Sequence, residues 1–419
     1  MKIVGLIAEY NPFHNGHQYH IEKAREITSA DAVIVVMSGN FVQRGTPAIM
    51  PKHLRTEAAL KGGASVVIEL PVCYATGSAE YFAYGAVSIF EKLGCIDSIC
   101  FGSECGNIEV LQDLAKIIHD EPKQYKESLS LYLRQGDSFP LARQKAMKDF
   151  LNSNVADSIL GGPNNILGIE YLKALYRLDS KIKPYTIQRV GSHYHDDYLQ
   201  KSYSSASAIR KAMSQTMELD EFDIENQMPT SCASLIKEAY GQRYPIYAND
   251  FSLLLKYKLL TENKKSLMEY ADVSEELANR ILNRLNDYVS FEQFCELLKT
   301  KEMTYARISR ALIHILLDIK NEDLSEIAYA RVLGFRDDDS EVLSQIKRHA
   351  TISLVTKLPS VENLVTNKTI SSADNNGLYK TKETMLLQDI NASNLYESVV
   401  TDKFGTAFIN EYKQKIVHL

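Results

Sequence analysis

Residues 2–17 read KIVGLIAEYNPFHNGH, and this stretch decides the fold. Residues 2–10 form an apolar run of strand type, Asn11-Pro12-Phe13 breaks it, and His14-Asn15-Gly16-His17 opens an amphipathic helix predicted to reach about Ile27. A strand, a tight turn and a helix N-terminus make a phosphate-binding device, because the unpaired N–H groups of the first helical turn carry partial positive charge. Pro12 cannot extend the ladder of the strand. Gly16 lacks a Cβ and lets a ligand approach the backbone. His14 and His17 stand one helical turn apart, so both imidazoles can face one bound group, donating to phosphate oxygens.

Outward from this stretch, strand and helix alternate. Ala32–Ser38, Val66–Leu70 and Ile99–Phe101 read as buried strands, with helices over Lys52–Lys61 and Ala79–Leu93 and a loop over Gly39–Pro51. The alternation predicts an α/β fold with a doubly wound parallel sheet, whose ligands lie beyond the strand C-termini where the order reverses. Strands one and four converge there, which brings Gly102 beside the His14–His17 turn. A helical insertion is predicted over about 107–160, then a helix after Pro163 and a fifth strand over Pro184–Val190. Asn164 either caps its helix or bonds an adenine edge. Arg189 forms either a surface salt bridge or a bidentate fork to a phosphate or carboxylate. His193-Tyr194-His195-Asp196-Asp197 has metal-ligand residue types but no further ligand cluster, and a rim role for His195 or Asp196 stays open. Ser204–Arg210 is a serine-rich helix start, with capping or phosphate binding as its two readings.

Residues 217–226 are acidic and suggest a boundary. From about Tyr244 the spacing turns helical, over Ser252–Leu260, Glu275–Asn286, Ser290–Leu298 and Thr304–Asp318, with Thr304 as an N-cap. Lys299, Lys301, Arg307 and Arg310 form the densest basic cluster of this part, either a solvated face or contacts to RNA phosphates. Residues 321–365 read as helix, turn and a basic segment.

A chain of 419 residues has room for two or three domains, and 24% charged with 45% hydrophobic residues is ordinary for a globular protein. The net charge of −6 excludes a uniformly basic nucleic-acid coat, so RNA binding needs a local patch. The six cysteines contain no C-x-x-C pair, and no metal site is expected. The N-terminal apolar run ends at Glu9 and reads as a strand, not a signal peptide, and no stretch has the length of a membrane span. A cytoplasmic protein with reduced thiols is expected.

The motif His14-x-Gly16-His17 is similar to the H-x-G-H signature of the nucleotidyltransferase superfamily. The longer run Gly5–His17 resembles the opening of the tRNA(Met) cytidine acetate ligase family, as does Pro163-Asn164-Asn165-Ile166-Leu167-Gly168. Ser204–Arg210 is similar to the superfamily's second motif, with Ser204 where that motif has Ile and Ser207 where it has Thr. The resemblance implies a Rossmann-like nucleotidyltransferase domain over 1–215 and an all-helical, tRNA-binding region over 216–419. It implies a ligase that activates acetate with ATP, accompanied by Mg²⁺, as acetyl-adenylate, then acetylates N4 of the wobble cytidine of elongator tRNA(Met). ATP contacts are implied for Ile7, Ala8, Glu9, Tyr10, Asn11, Pro12, Phe13, His14, Asn15, Gly16, His17, Gln18, Tyr19 and His20. Further ATP contacts are implied for Gly102, Asn164, Arg189, Ser205, Ser207 and Arg210, with catalytic roles for His14, His17 and Arg210. No protein partner and no membrane are expected. The H-x-G-H and serine motifs alone fit a small-molecule nucleotidyltransferase releasing pyrophosphate equally well. A non-catalytic RNA-binding module is the third reading, which the intact His14, His17 and Arg210 oppose.

Overall fold

The computed structural model describes residues 1–152, 159–189, 204–215, 227–323, 326–358 and 378–419. Its centre is an eight-stranded sheet. Strands β1 (Ile3–Ala8), β2 (Ala32–Ser38), β3 (Val66–Leu70), β4 (Ser98–Ser103) and β5 (Lys183–Gln188) run parallel in the order β3-β2-β1-β4-β5. The order reverses between β1 and β4, and that is where the expected site falls. Registers are continuous, from Ile3↔Ala32 to Ala8↔Met37 and from Ser98↔Lys183 to Ser103↔Gln188. Strand β2 is buried along its whole length because both sheet faces are covered. Ile34 and Val36 enter one core, while Val33, Val35 and Met37 enter the other.

Helices α1 (Asn15–Thr28) and α2 (Lys52–Lys61) cover one face, with Ile21, Ala24, Ala58 and Leu60 buried there. Helix α3 (Ala79–Leu93) covers the other. The expected insertion consists of α4 (Ile108–Asp120), α5 (Lys123–Arg134) and α6 (Phe139–Leu151). Helix α7 (Pro163–Arg177) packs between α3 and α4, and α8 (Ala206–Gln215) follows the second motif. Helix α9 (Thr230–Ala239) lies against α2. The loop predicted over residues 39–51 contains a small hairpin, Phe41–Val42 paired with Thr46–Pro47.

The C-terminal region is largely helical, with α10 (Ser252–Leu260), α11 (Glu275–Arg284), α12 (Phe291–Leu298), α13 (Tyr305–Leu316), α14 (Ser340–His349) and α15 (Leu378–Phe404). Thr304 caps α13 as expected, accepting from the Arg307 N–H at 3.4 Å. The expectation of an all-helical region needs one correction. Residues Tyr329–Phe335 form β6, which adds antiparallel to β3, and β7 (Ser353–Val355) and β8 (Val417–His418) pair with it. The segment AYARVLGF has the β-branched, aromatic and glycine content of a buried edge-covering strand, but its arginine disguises it. Arg331 is accommodated in a buried charge cluster. It sits 3.1 Å from Glu69 on β3 and 2.5 Å from Glu411 in the tail, while Lys52 at the start of α2 sits 2.6 Å from Glu69 and 2.8 Å from Glu411. Two cations and two carboxylates balance, which lets four charges lie buried and fixes the tail's register on the sheet.

Candidate functional site

At the end of β1 the chain turns sharply. Tyr10 takes a φ of 47°, a left-handed conformation that a bulky residue rarely adopts. Its surroundings over-determine it. Arg55 of α2 is fully buried and donates to the carbonyls of Glu9 (2.6 Å), Ser38 (3.1 Å), Met50 (3.0 Å) and Gly39. Burial pulls its guanidinium down to about 10, still charged at neutral pH. The Asn11 side chain accepts from the Ile49 N–H at 2.8 Å, and Glu9 accepts from the Gln43 N–H at 2.9 Å. Sequence reading missed Arg55, since in KHLRTEAALK it looks like one more polar residue of a surface helix.

The turn presents His14 as the N-cap of α1. Its Nδ1 accepts from the Gly16 N–H at 3.1 Å, while the His14 N–H donates to Nδ1 of His17 at 3.3 Å. A backbone N–H only donates, so in each neutral ring the proton sits on Nε2. The two rings stack with centroids 3.7 Å apart. Burial, with Arg189 and Arg210 nearby, lowers the His14 imidazole to about 3, and burial with His14 and Arg189 nearby also lowers His17. His20, one turn further, is lowered to about 4 by burial and Arg189. All three are neutral donors at pH 7, and an arriving polyphosphate would raise their proton affinity. Gly16 also has a role inside the turn. A Cβ there would lie 2.9 Å from Cε1 of His14, so the glycine makes room for the capping ring.

Opposite α1, β4 ends at Gly102 and Ser103. A Cβ built on Gly102 would lie 3.3 Å from Cγ of Arg189, so the arginine stem runs across this position. Burial lowers the Arg189 guanidinium, with Glu104 opposing. Asn164 is not the N-cap of α7. Gly162 holds that position, and the cap is supplied by Glu104 from the strand end. One Glu104 oxygen accepts from the Asn164 N–H (3.0 Å) and Nδ2 (2.7 Å), and the other accepts from the Asn165 N–H (2.7 Å). Asn165 answers by accepting from the Glu104 and Cys105 N–H groups at 3.0 and 3.1 Å. Arg189 donates to Oδ1 of Asn164 at 3.4 Å.

The second motif closes the site. Ser205 caps α8, its Oγ accepting from the Ala208 N–H at 3.1 Å and lying 3.0 Å from Oγ of Ser207. Ser204 is buried, whereas Ser205 and Ser207 reach the accessible helix start. Arg210 donates to the Asn11 carbonyl at 2.6 Å across 199 residues of chain. Burial lowers its guanidinium; Glu9 opposes this and Arg44 adds to it. Arg44, from the small hairpin, is therefore a further cation beside the site that sequence reading passed over. Arginine in a Gly-rich loop carries no pattern of its own. The hairpin is held by α13, where Ser309 donates to the Gly45 carbonyl at 2.6 Å, and Gly45 takes a φ of +69° against the Arg310 backbone.

The structure therefore brings together residues 9–20, Gly102, Asn164, Arg189, Ser205, Ser207 and Arg210. The basic cluster is less uniform. Arg310 pairs with Asp272 at 2.9 Å, Lys299 pairs with Glu296 at 2.8 Å, and Arg307 shares a cavity with Glu275, Glu276 and Glu302. His193–Asp197 lie outside the described residues. Among the described residues no group of three or more His, Cys, Asp or Glu is placed to hold a metal, and no helix is long and apolar enough to cross a membrane. Burial raises the thiols of Cys73, Cys95, Cys100, Cys232 and Cys295, which makes them poor nucleophiles.

Residues 1–410 match the family model of the HIGH nucleotidyl transferases. The chain is 42% identical over 369 residues to the tRNA(Met) cytidine acetate ligase of Clostridium novyi (strain NT), spanning 87% of this chain and 92% of that protein. It is 44% identical over 371 residues to the enzyme of the same name from Clostridium acetobutylicum, spanning 85% and 90%. The crystal structure of Thermotoga maritima TmcAL bound with alpha-thio ATP has a TM-score of 0.88 and 31% identity, spanning 100% of this chain and 99% of that one.

Proposed function

We propose, since the chain belongs to the tRNA(Met) cytidine acetate ligase family of HIGH nucleotidyl transferases, that it ligates acetate to N4 of the wobble cytidine of elongator tRNA(Met) at the expense of ATP. The observation that carries this is the bond from Arg210 to the Asn11 carbonyl, which closes two distant motifs around one site.

Joining a carboxylate to an exocyclic amine is uphill without activation. An acetate oxygen attacks the α-phosphorus in line, the bond to the bridging oxygen breaks, and pyrophosphate leaves. The cytidine amine then attacks the acetyl carbon of the mixed anhydride, AMP departs, and the amine loses a proton. The protein's task is positioning and charge stabilisation. His14 and His17 donate from Nε2 to the α- and β-phosphates at the N-terminus of α1. Ser205, Ser207 and Arg210 serve the β- and γ-phosphates at the N-terminus of α8. Residues 7–13, Gln18, Tyr19 and His20 line the turn, while Gly102, Asn164 and Arg189 hold the nucleoside side. Mg²⁺ accompanying ATP would be held by the nucleotide rather than by a protein cage and would neutralise part of the charge that His14, His17 and Arg210 face. Acetyl passes directly from the adenylate to RNA, without a covalent acyl-enzyme. The helical region over 216–419 holds the tRNA, in the cytoplasm, with Lys299, Lys301, Arg307 and Arg310 as first candidates for phosphate contacts. An anticodon loop gives up its base cheaply to such a pocket.

The test is exchange of labelled pyrophosphate into ATP without RNA. Exchange that needs acetate and is lost in His17→Ala is expected. No exchange even with tRNA present would overturn the reading, and pyrophosphate release on adding a phosphorylated metabolite would favour a small-molecule nucleotidyltransferase.

A further inference from the structure

Glu104 stands two residues beyond Gly102, at the mouth of the site, and makes no surface ion pair among the described residues. Its two oxygens are spent on the backbone N–H groups of Asn164 and Asn165 and on Nδ2 of Asn164, all within 3.0 Å. Three physical consequences follow. First, the N-terminus of α7 already holds an anion, so its partial positive charge is not offered to a substrate phosphate. The triphosphate is left to α1 and α8. Second, the Asn164 amide has one orientation. A carboxylate only accepts, so Nδ2 must face Glu104, and a guanidinium only donates, so Oδ1 must face Arg189. Third, Arg189 is steadied by that oxygen, by the Glu104 charge and by the bare face of Gly102 under its stem.

We propose that Glu104 is a positioning residue of the nucleotide site, holding Asn164 and Arg189 in the orientation that ATP requires. This rests on the ATP-dependent reading above. Glu104 itself touches no reacting atom. It acts through the amide and the guanidinium, and its reciprocal bonds with Asn165 lock the strand end to the helix start, so the geometry is set before the nucleotide arrives.

Glu104→Gln tests it. The variant keeps the shape but turns an NH₂ against a backbone N–H, which loosens α7 and frees the Asn164 amide to flip. ATP affinity is measured by calorimetric titration without acetate or tRNA, so the result does not depend on turnover. An about tenfold weakening is expected, with tRNA affinity unchanged. In a chain already carrying Asn164→Ala, the same change is expected to cost less than about threefold, because the pathway through the amide is gone. Glu104→Asp, whose carboxylate is one methylene short of the helix, is expected to fall between wild type and Glu104→Gln, and it serves if the glutamine variant does not fold. Unchanged ATP affinity, or the same loss in both backgrounds, or a parallel loss of tRNA affinity, would each overturn the proposal. A wild-type chain that binds ATP but shows no acetate-dependent exchange even with tRNA present would instead overturn the ligase reading and leave the titration to decide on Glu104.

Discussion

His14 and His17 stack with ring centroids 3.7 Å apart and planes 26° from parallel, and each ring takes a backbone N–H of the same helix start on Nδ1. Two imidazoles this close cannot both be cationic without a compensating anion. The site therefore stores neutral donors, and under the proposed function the triphosphate would supply the charge that makes them better ones.

This arrangement gives the free protein a specific acid sensitivity. Burial, Arg189 and Arg210 lower His14 to about 3. The unfolded imidazole thus binds protons that the folded one does not. The contribution of His14 to stability is fully present above its ordinary pKa and is lost as the pH falls from there towards the folded value. Between pH 7 and pH 5 wild type is expected to lose about 2 kcal/mol more than His14→Asn, since asparagine still accepts the capping bond. Urea unfolding at both pH values checks this, and parallel losses would exclude a buried neutral ring. Added ATP is expected to shrink the difference.

Arg210 anchors the turn through the Asn11 carbonyl, and the proposed function also has it serve the phosphates. Arg210→Ala is expected to lower the exchange rate by about 10²-fold or more, the scale of losing one preorganised donor. Lysine offers no fork, so Arg210→Lys should recover only part of the loss. An unchanged rate in Arg210→Ala would remove this residue from the phosphate machinery.

Arg55 makes no ion pair with a carboxylate among the described residues and is satisfied by four carbonyls at the ends of β1 and β2 and the loop after them. Arg55→Met keeps much of the volume and leaves those carbonyls without a donor. A destabilisation of about 3–5 kcal/mol is expected in chemical denaturation. A shift below about 1 kcal/mol would mean that the turn is held by Asn11 and Glu9 instead.

Among the basic residues of the helical region, Lys301 and Arg307 are the better probes of RNA contact. Lys301→Ala with Arg307→Ala is expected to weaken tRNA binding, to reduce its salt dependence by about two phosphate contacts and to leave ATP affinity intact. Arg310→Ala is expected to cost stability as well, because Arg310 holds Asp272 at 2.9 Å. Equal loss of tRNA and ATP binding in the double variant would indicate misfolding.

Much of this was legible in one dimension. Four of the five parallel strands announced themselves as short apolar runs between helical segments, because a strand covered on both faces must be apolar throughout, whereas β5 lies half-exposed at the sheet edge and alternates apolar with polar residues. The turn at Asn11-Pro12 and the histidines of α1 are consecutive residues, so their mutual geometry is local. Strand β6 was missed because its arginine, satisfied by carboxylates of Glu69 and Glu411 from distant segments, looks incompatible with a core until those partners are seen. Arg55 and Arg44 escaped for a related reason. Their partners or neighbours lie on other elements, and no local spacing marks them. Glu104 looked like a polar residue after a strand.

The sequence by itself determined the parallel five-stranded part of the sheet, its switch point and the H-x-G-H helix start, because these follow from periodicities and turn chemistry that act over a few residues. Only the tertiary structure decided which charges are buried, how far burial and the distant arginines lower the histidines and which carboxylate caps α7. Those depend on contacts between residues far apart in the chain, where burial and pairing set protonation and orientation, and no local pattern encodes them.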